Sequence, residues 1–183
     1  VLVAALCLIS FFLAYNSIKK VYFVQLLNMN ADIARQVENF YQVHERYAEF
    51  FANSDFSIEA MRTGDYGKVQ EILEDFYRSM GTLENIFLST AEEDTMIVSD
   101  GSGAAISLKW KGTGFDENIR NTLAGRVWIS EAYPSPATGR PVILITAPVR
   151  DRGDIVGIFG LPVDLGSFSS ALVEGNTLGK TGY

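Results

Sequence analysis

The first fifteen residues constrain this chain most, because they form a nearly unbroken apolar run. Residues Val1–Tyr15 read VLVAALCLISFFLAY, and Ser10 is their only clearly polar side chain. A helix that spans a bilayer needs roughly 20 apolar residues, so we expect this run to be the end of a transmembrane helix. The alternatives are a signal-peptide core, although no small-residue cleavage site follows Leu13, and a buried helix of a soluble protein. We predict an uncleaved signal anchor over 1–20 in the inner (plasma) membrane, with the remaining chain outside the cytoplasm.

A long amphipathic helix is predicted to follow the membrane segment, from about Val21 to Phe51. Its apolar side chains recur every three or four residues; they are Leu26, Met29, Ile33, Val37, Phe40, Tyr47 and Phe51. At 1.5 Å per residue this helix would be roughly 45 Å long, which is more than one small domain can cover. The segment 21–60 is therefore predicted to be a stalk that pairs with a second copy in a homodimer, or alternatively a helix broken in two.

Composition excludes several functions. The 22 acidic residues against 15 basic ones give a net charge of −7, whereas sequence-independent nucleic-acid binding needs clustered positive charge. Cys7 is the only cysteine and His44 the only histidine, so a disulfide framework or a multi-cysteine or multi-histidine metal site cannot form within the chain. No nucleophile–base pair is visible either. We predict a protein that is not an enzyme and uses no metal or cofactor, and we expect His44 to pack within the apolar stripe.

After the stalk, the pattern predicts one helix and then a run of strands. The helix covers about Asp65 to Met80 and is stopped by Gly81. The predicted strands cover residues 85–89, 95–99, 105–110, 127–130, 141–149 and 155–163, and a short helix covers 115–123. Helices followed by consecutive strands are typical of an α+β fold with an antiparallel sheet. We expect this fold to occupy 61–174, and 175–183 to begin a further, membrane-proximal module.

Residues Arg126–Val142 carry the most specific pattern in the chain. They read RVWISEAYPSPATGRPV and are followed by APVR, a tight turn at Asp151–Asp154, and IVGIFGLPVDL. This order resembles the double Cache (PAS-like) sensor domains of bacterial chemoreceptors and related transmembrane sensors, which show a tyrosine-bearing strand, a Thr-Gly-x-Pro-Val turn and a closing Val-Asp-Leu. The resemblance covers about Ala14 to Tyr183 and implies a PAS-like antiparallel sheet flanked by helices, the membrane-distal module of such a sensor.

The resemblance also implies a ligand pocket between the sheet and the short helix. In amino-acid-binding members, an arginine and aromatic residues on that helix hold the ligand carboxylate, and an aspartate on the last strand holds its ammonium group. Tyr133 matches the strand tyrosine and Asp164 matches the closing acid, but Phe115–Ile119 stands where the arginine would be. The resemblance therefore implies a ligand with an amine or another cationic group, contacted by Asp164 and Tyr133 with help from Asn118.

Four aromatic or acidic residues need a separate assignment. Trp110 and Phe115 flank a glycine-bearing loop and are further candidates for the pocket wall. Trp128 is expected to be a core residue. Asp164 has a second interpretation, because it could be the N-cap of a helix that begins after it.

Together these features predict the extracytoplasmic ligand-binding sensor domain of a transmembrane chemoreceptor. The alternatives are the sensor domain of a membrane histidine kinase or diguanylate cyclase, a membrane-anchored enzyme, and a dimerisation module that binds no small molecule. The predicted partners are a small amine or amino-acid-like ligand, the membrane, and a second copy of the chain through the stalk helix.

Overall fold

The computed structural model describes residues 2–90, 95–100, 106–109 and 115–175. Two compact units share these residues. The first contains the chain up to Phe40, and the second, which we call the sheet domain, comprises Tyr41–Glu174. Of the predicted segments, Trp110 and residues 176–183 lie outside the described part of the chain.

Helix α1 spans Leu2–Ala52 without a break. The predicted long helix is confirmed, and the alternative of two shorter helices is wrong. Its N-terminal apolar side chains are exposed, as Phe11 is at 71%. Within the described residues, α1 is the one helix long and apolar enough to cross a membrane, judged by length and composition.

Two shorter helices follow, and glycine ends both of them. Helix α2 spans Asp55–Thr63 and begins at the N-cap Ser54, whose side chain accepts a hydrogen bond from the Ser57 amide. Helix α3 spans Gly67–Met80, in agreement with the predicted helix, whereas α2 was not predicted. Gly64 and Gly81 follow the two helices with φ of 72° and 62°, the left-handed conformation that glycine adopts without strain at a helix end.

The remaining elements form an antiparallel sheet, and the predicted α+β class is confirmed. The strands are β1 (Ile86–Thr90), β2 (Thr95–Ser99), β3 (Ile106–Lys109), β4 (Trp128–Ile129), β5 (Tyr133–Pro134), β6 (Pro141–Asp151) and β7 (Asp154–Asp164); helix α4 covers Asp116–Leu123 and α5 covers Leu165–Gly175. The strand order is β3-β2-β1-β7-β6-β4, with β5 paired to β6 as well. The described part of the sheet thus includes β5, a strand that the pattern did not predict.

The turn between β6 and β7 explains why these two strands make the longest pairing. Arg152 and Gly153 both have positive φ, 53° and 101°, as a two-residue hairpin turn of the type that matches strand twist requires. The predicted hairpin at Asp151–Asp154 is confirmed. It fixes the register of β6 and β7, the two longest strands of the described sheet.

Hydrophobic packing covers both faces of the sheet. On one face Phe159 stacks on Phe51 of α1, with ring centroids 5.6 Å apart. On the other face α4 closes a buried cluster whose members are Phe87, Phe115, Ile119, Leu144 and Ile158. The α4 face is the one that carries the candidate site.

Candidate functional site

A pocket of about 380 Å³ lies between α4 and the segment that carries β4 and β5. Its lining residues come from two short stretches of sequence; they are Glu117, Asn118, Trp128, Ile129, Ser130, Glu131, Ala132 and Tyr133. Pockets of roughly 300–1,000 Å³ are typical of small-molecule sites. The volume is therefore sufficient for a ligand of amino-acid size.

Helix α4 is held on the sheet by polar contacts as well as by its apolar side chains. Ile119 is fully buried. The Asn118 side-chain amide donates to the Leu144 carbonyl over 3.2 Å, and the buried hydroxyls of Thr122 and Thr146 lie 2.6 Å apart. Buried polar groups are costly unless paired, so these bonds fix the position of α4 and place Asn118 at the pocket wall.

Ser130 builds the opposite wall by pairing with the same strand residue. Its amide donates to the Leu144 carbonyl over 2.9 Å, and its hydroxyl accepts from the Leu144 amide over 2.8 Å. The Leu144 carbonyl thus receives one bond from α4 and one from the β4–β5 segment. Because both walls bond to this one carbonyl, β6 fixes the position of each wall.

Tyr133 lines the pocket and contributes a buried, neutral hydroxyl. Its ring packs edge-on against Phe115, with centroids 5.7 Å apart. Burial raises the pKa of the Tyr133 hydroxyl strongly, and the negative charge of Glu84 raises it further. The hydroxyl is buried and makes no hydrogen bond within the described part of the chain, so it is free to bind a polar group of a ligand.

Charge at the pocket is negative. Glu117 and Glu131 line it and are exposed, and no lysine or arginine is among the described lining residues. Trp128 and Tyr133 add aromatic surface, which attracts cations through the electron-rich ring face. This combination favours a cationic group over a carboxylate.

A buried acid anchors the loop after β5. The Glu84 carboxylate accepts hydrogen bonds from the Ser135 hydroxyl, over 2.6 Å, and from the Thr138 hydroxyl. Glu84 itself is fixed by its amide, which donates to the Pro162 carbonyl over 2.8 Å. The loop 135–140 is therefore tied to the sheet beside the pocket.

Asp164 lies on the pocket face of the sheet but does not line the pocket. Tyr133 pairs with Val142, and Val142 pairs with Asp164, so the three side chains project from the same face of adjacent strands. One Asp164 oxygen accepts from the Ser167 amide over 3.0 Å, as expected for an N-cap of α5. The other oxygen forms an ion pair with Arg140.

The structure brings some predicted site residues together and separates others. Asn118 and Tyr133 line the pocket, whereas Phe115 belongs to the buried cluster behind Tyr133. Trp110 lies outside the described residues. Trp128, expected in the core, is half-buried and lines the pocket, because β4 is an edge strand of the described sheet.

The sequence analysis did not assign five of the lining residues to a site: Glu117, Ile129, Ser130, Glu131 and Ala132. A signal existed for Ser130, since it precedes Tyr133 by three residues in the segment that carries the family resemblance. His44 packs as predicted: it is buried at 4% exposure and its ring meets Tyr47 edge-on at 6.0 Å. Among the described residues, no group of three or more His, Cys, Asp or Glu side chains could hold a metal.

The overall fold is similar to that of bacterial sensory domains of known structure. The sensory domain of the Campylobacter jejuni chemoreceptor Tlp3 with isoleucine bound superposes with a TM-score of 0.62 at 16% identity, over 80% of this chain and 61% of that chain. A sensory box/GGDEF family protein domain from Vibrio parahaemolyticus gives 0.65 at 15% identity, over 80% and 62%. The extracellular domain of the histidine kinase vpHK1S-Z8 gives 0.65 at 15% identity, over 79% and 58%.

These likenesses confirm the predicted double Cache-like fold. The chain spans about three fifths of the length of the solved sensory domains it matches. No protein-family model matches it, and no curated protein does.

Proposed function

We propose that this chain is the membrane-distal, ligand-binding part of the extracytoplasmic sensor domain of a transmembrane receptor. The pocket between α4 and the β4–β5 segment supports this function most directly, because it offers buried polar groups within a fold shared with a sensory domain that holds isoleucine. The neighbours are domains of a chemoreceptor, a histidine kinase and a GGDEF protein. We propose a chemoreceptor that acts in chemotaxis, with the other two outputs as alternatives.

The ligand that we propose carries an amine or another cationic group, contacted by Tyr133, Asn118 and Asp164. Two exposed glutamates at the pocket, Glu117 and Glu131, support a cation. Solved structures of Tlp3 contain isoleucine, valine or norvaline, each of which bears an ammonium group. The described residues that line the pocket include no arginine, and we propose a ligand whose carboxylate is not required for binding.

Three small molecules that share one side chain test this proposal. L-Valine has both charged groups, isobutylamine lacks the carboxylate, and isovalerate lacks the amine. Binding to the native state raises the unfolding temperature, so we expect L-valine and isobutylamine, but not isovalerate, to stabilise the full chain in detergent micelles. Stabilisation by isovalerate alone would contradict a cationic ligand, and stabilisation by none of the three would contradict the proposed ligand class.

A charge variant tests the role of Asp164. Asp164→Asn keeps the shape and can still cap α5, but it removes the negative charge. Removing one partner of a buried charge pair commonly costs about 2–5 kcal/mol of binding, so isobutylamine should bind at least about 30-fold more weakly. Asp154→Asn, at the exposed start of β7, is the matched control. Equal affinity in wild type and Asp164→Asn would place the ligand elsewhere.

We also propose that the N-terminal part of α1 anchors the protein, with the sheet domain outside the cytoplasm. The exposed apolar side chains and the length of the helix support this placement. Lys19 and Lys20 follow the apolar run, and positive charge prefers the cytoplasmic side, which makes a direct test necessary. An alkaline phosphatase fused after Tyr183 should be active, because this enzyme folds only outside the cytoplasm; an inactive fusion that is stably expressed would reverse the topology.

Finally, we propose that α1 pairs with a second copy of the chain. Leu26, Ile33, Val37 and Phe40 share one face and are exposed or only half-buried, and burying such a side chain stabilises by roughly 1.5–3 kcal/mol. Sedimentation in detergent should give a dimer for the wild type and a monomer for Ile33→Asp plus Val37→Asp. The control, Asn28→Asp plus Asn39→Asp, adds the same charge on the opposite face and should remain dimeric. A monomeric wild type would contradict pairing through this face of α1.

A further inference from the structure

The two carboxylate oxygens of Asp164 have different partners. Oδ1 accepts the Ser167 amide at the start of α5 over 3.0 Å. Oδ2 is buried, and its counter-charge is the Arg140 guanidinium; within the described residues it accepts no aligned hydrogen bond. One oxygen therefore has a structural role in α5, whereas the other is neutralised by charge alone.

Arg140 is suited to leave this position. Its side chain is 55% exposed, while that of Asp164 is only 6% exposed. It is the last residue of the loop 135–140, which connects β5 to β6. Tyr133 lies in β5, just before this loop. A guanidinium that swings out regains full hydration in solvent, but a buried carboxylate left behind has no such compensation. The pair is thus asymmetric: Asp164 needs a cation, and Arg140 does not need Asp164.

Asp164 and Tyr133 can be reached by the same ligand. They belong to one cross-strand row through Val142, and strands two apart are about 10 Å apart at the backbone. Both side chains project from the pocket face. A small molecule whose polar group meets the buried Tyr133 hydroxyl can therefore extend its cationic end to Asp164, provided that Arg140 moves aside.

Beyond the proposed contact between Asp164 and the ligand cation, we propose that Arg140 competes for that contact: its guanidinium pairs with Asp164 in the unliganded protein, and the ammonium group of the ligand takes its place. This inference deepens the proposed function and rests on it. The exchange releases Arg140 and with it one of the two ties of the loop 135–140, the other being the hydrogen bonds from Ser135 and Thr138 to Glu84. The carboxylate that receives the ligand also caps α5, so ligand binding affects the start of this helix, which follows the last strand.

The exchange has a cost in apparent affinity that can be measured. When the competent state is populated only in part, the apparent dissociation constant increases by the inverse of that fraction. If Arg140 occupies Asp164 for more than about nine tenths of the time, removing it tightens cation binding by about tenfold or more. Arg140 is then a built-in competitor that sets the concentration range of the sensor.

Chemical rescue tests the cation site without knowledge of the natural ligand. In the full chain in detergent micelles, Arg140→Ala should have a lower unfolding temperature than wild type, and methylammonium chloride should raise it in a saturable manner. Sodium chloride at equal ionic strength should not. Arg126→Ala removes an exposed arginine of the same domain but keeps Arg140, so it should respond only at about tenfold higher methylammonium concentrations. Arg140→Ala combined with Asp164→Asn should show no saturable response. Absence of rescue in Arg140→Ala, or equal rescue in all variants, would overturn the proposal.

A refolding measurement extends this test to the case in which Arg140→Ala does not fold. If Arg140→Ala does not fold alone, the measurement becomes the yield of folded protein after refolding with and without methylammonium. The double variant lacks both charges and should refold without the cation, since a neutral pair leaves no buried charge. Refolding of Arg140→Ala that is independent of methylammonium would overturn the cation site.

Measured affinities for isobutylamine and L-valine distinguish a failure of the Arg140 exchange from a failure of the proposed function. Arg140→Ala should bind both at least about tenfold more tightly than wild type. Equal dissociation constants in the two proteins would overturn the exchange while leaving the sensor function in place. If neither protein binds either compound but methylammonium still stabilises Arg140→Ala, the proposed ligand class is wrong and the cation site at Asp164 stands.

Discussion

Replacing Gly160 by alanine tests how the centre of the sheet supports the pocket. Gly160 lies opposite Phe87 in the pairing of β7 with β1, and a Cβ atom at this position would overlap the Phe87 ring. The ring cannot move away, because Phe87 is fully buried and meets Phe115 edge-on at 6.0 Å. Phe115 in turn packs against Tyr133 at 5.7 Å. A clash at Gly160 is therefore transmitted by two aromatic rings to the pocket.

The expected loss of stability follows from two opposing effects. Overpacking a well-filled core typically costs about 1–3 kcal/mol, whereas alanine gains roughly 0.5–1 kcal/mol over glycine within a strand because it loses less backbone entropy. The difference predicts that Gly160→Ala lowers the free energy of unfolding by up to about 2.5 kcal/mol. The shift of Phe115 should also weaken ligand binding, since Tyr133 loses its fixed position.

Urea denaturation in detergent micelles, followed by tryptophan fluorescence, measures the loss. Gly67→Ala is the control, because a Cβ there would meet only Asp65, at an ordinary 3.4 Å. Adding Phe87→Leu to Gly160→Ala removes the overlapping ring, so the double variant should be more stable than the sum of the single effects predicts. If Gly160→Ala is as stable as Gly67→Ala, or if the two core substitutions are additive, the transmitted clash does not exist.

Three other predictions concern the polar groups around the pocket. Because burial raises the pKa of Tyr133, the folded protein retains a proton that the unfolded chain releases above about pH 10; stability should therefore fall more steeply with rising pH in wild type than in Tyr133→Phe, and parallel urea midpoints between about pH 8 and 11 would contradict this. Thr122→Val should cost about 1–3 kcal/mol because it removes the main partner of the buried Thr146 hydroxyl, while Thr122→Val plus Thr146→Val should recover much of that loss in the same urea assay. Glu84→Gln should accelerate hydrogen exchange in the loop 135–140, since the hydroxyls of Ser135 and Thr138 lose a charged acceptor; unchanged exchange there would show that the loop is held by other contacts.

Strong local signals made most of the fold predictable. The central hairpin follows from two long apolar runs separated by Asp151–Asp154, where the turn chemistry and the strand pattern agree. Helix α3 follows from its apolar period and from Gly81 at its end. In both cases the local preference and the tertiary environment favour the same structure, which is why sequence reasoning is reliable there.

Of the two elements that were not predicted, α2 has local end signals in Ser54 and Gly64, whereas β5 is created by tertiary pairing alone. Strand β5 has two residues, Tyr133 and Pro134, in a segment whose proline and glycine content favours a turn. It is a strand only because Tyr133 pairs with Val142 of β6. No periodicity can be detected in two residues, so neither β5 nor the wall that it forms with Trp128 could be read from the sequence pattern.

The two interpretations of Asp164 are compatible because a carboxylate has two oxygens. As an N-cap it needs only Oδ1, which the Ser167 amide occupies. That bond fixes the rotation of the side chain and holds Oδ2 toward the face shared with Tyr133, where Arg140 neutralises it. The capping bond is therefore what orients the second oxygen for a cation, and its loss would disturb the binding site and the start of α5 together. A residue at the end of a central strand and at the beginning of a helix is thus able to connect an event in the pocket to the next element of the chain.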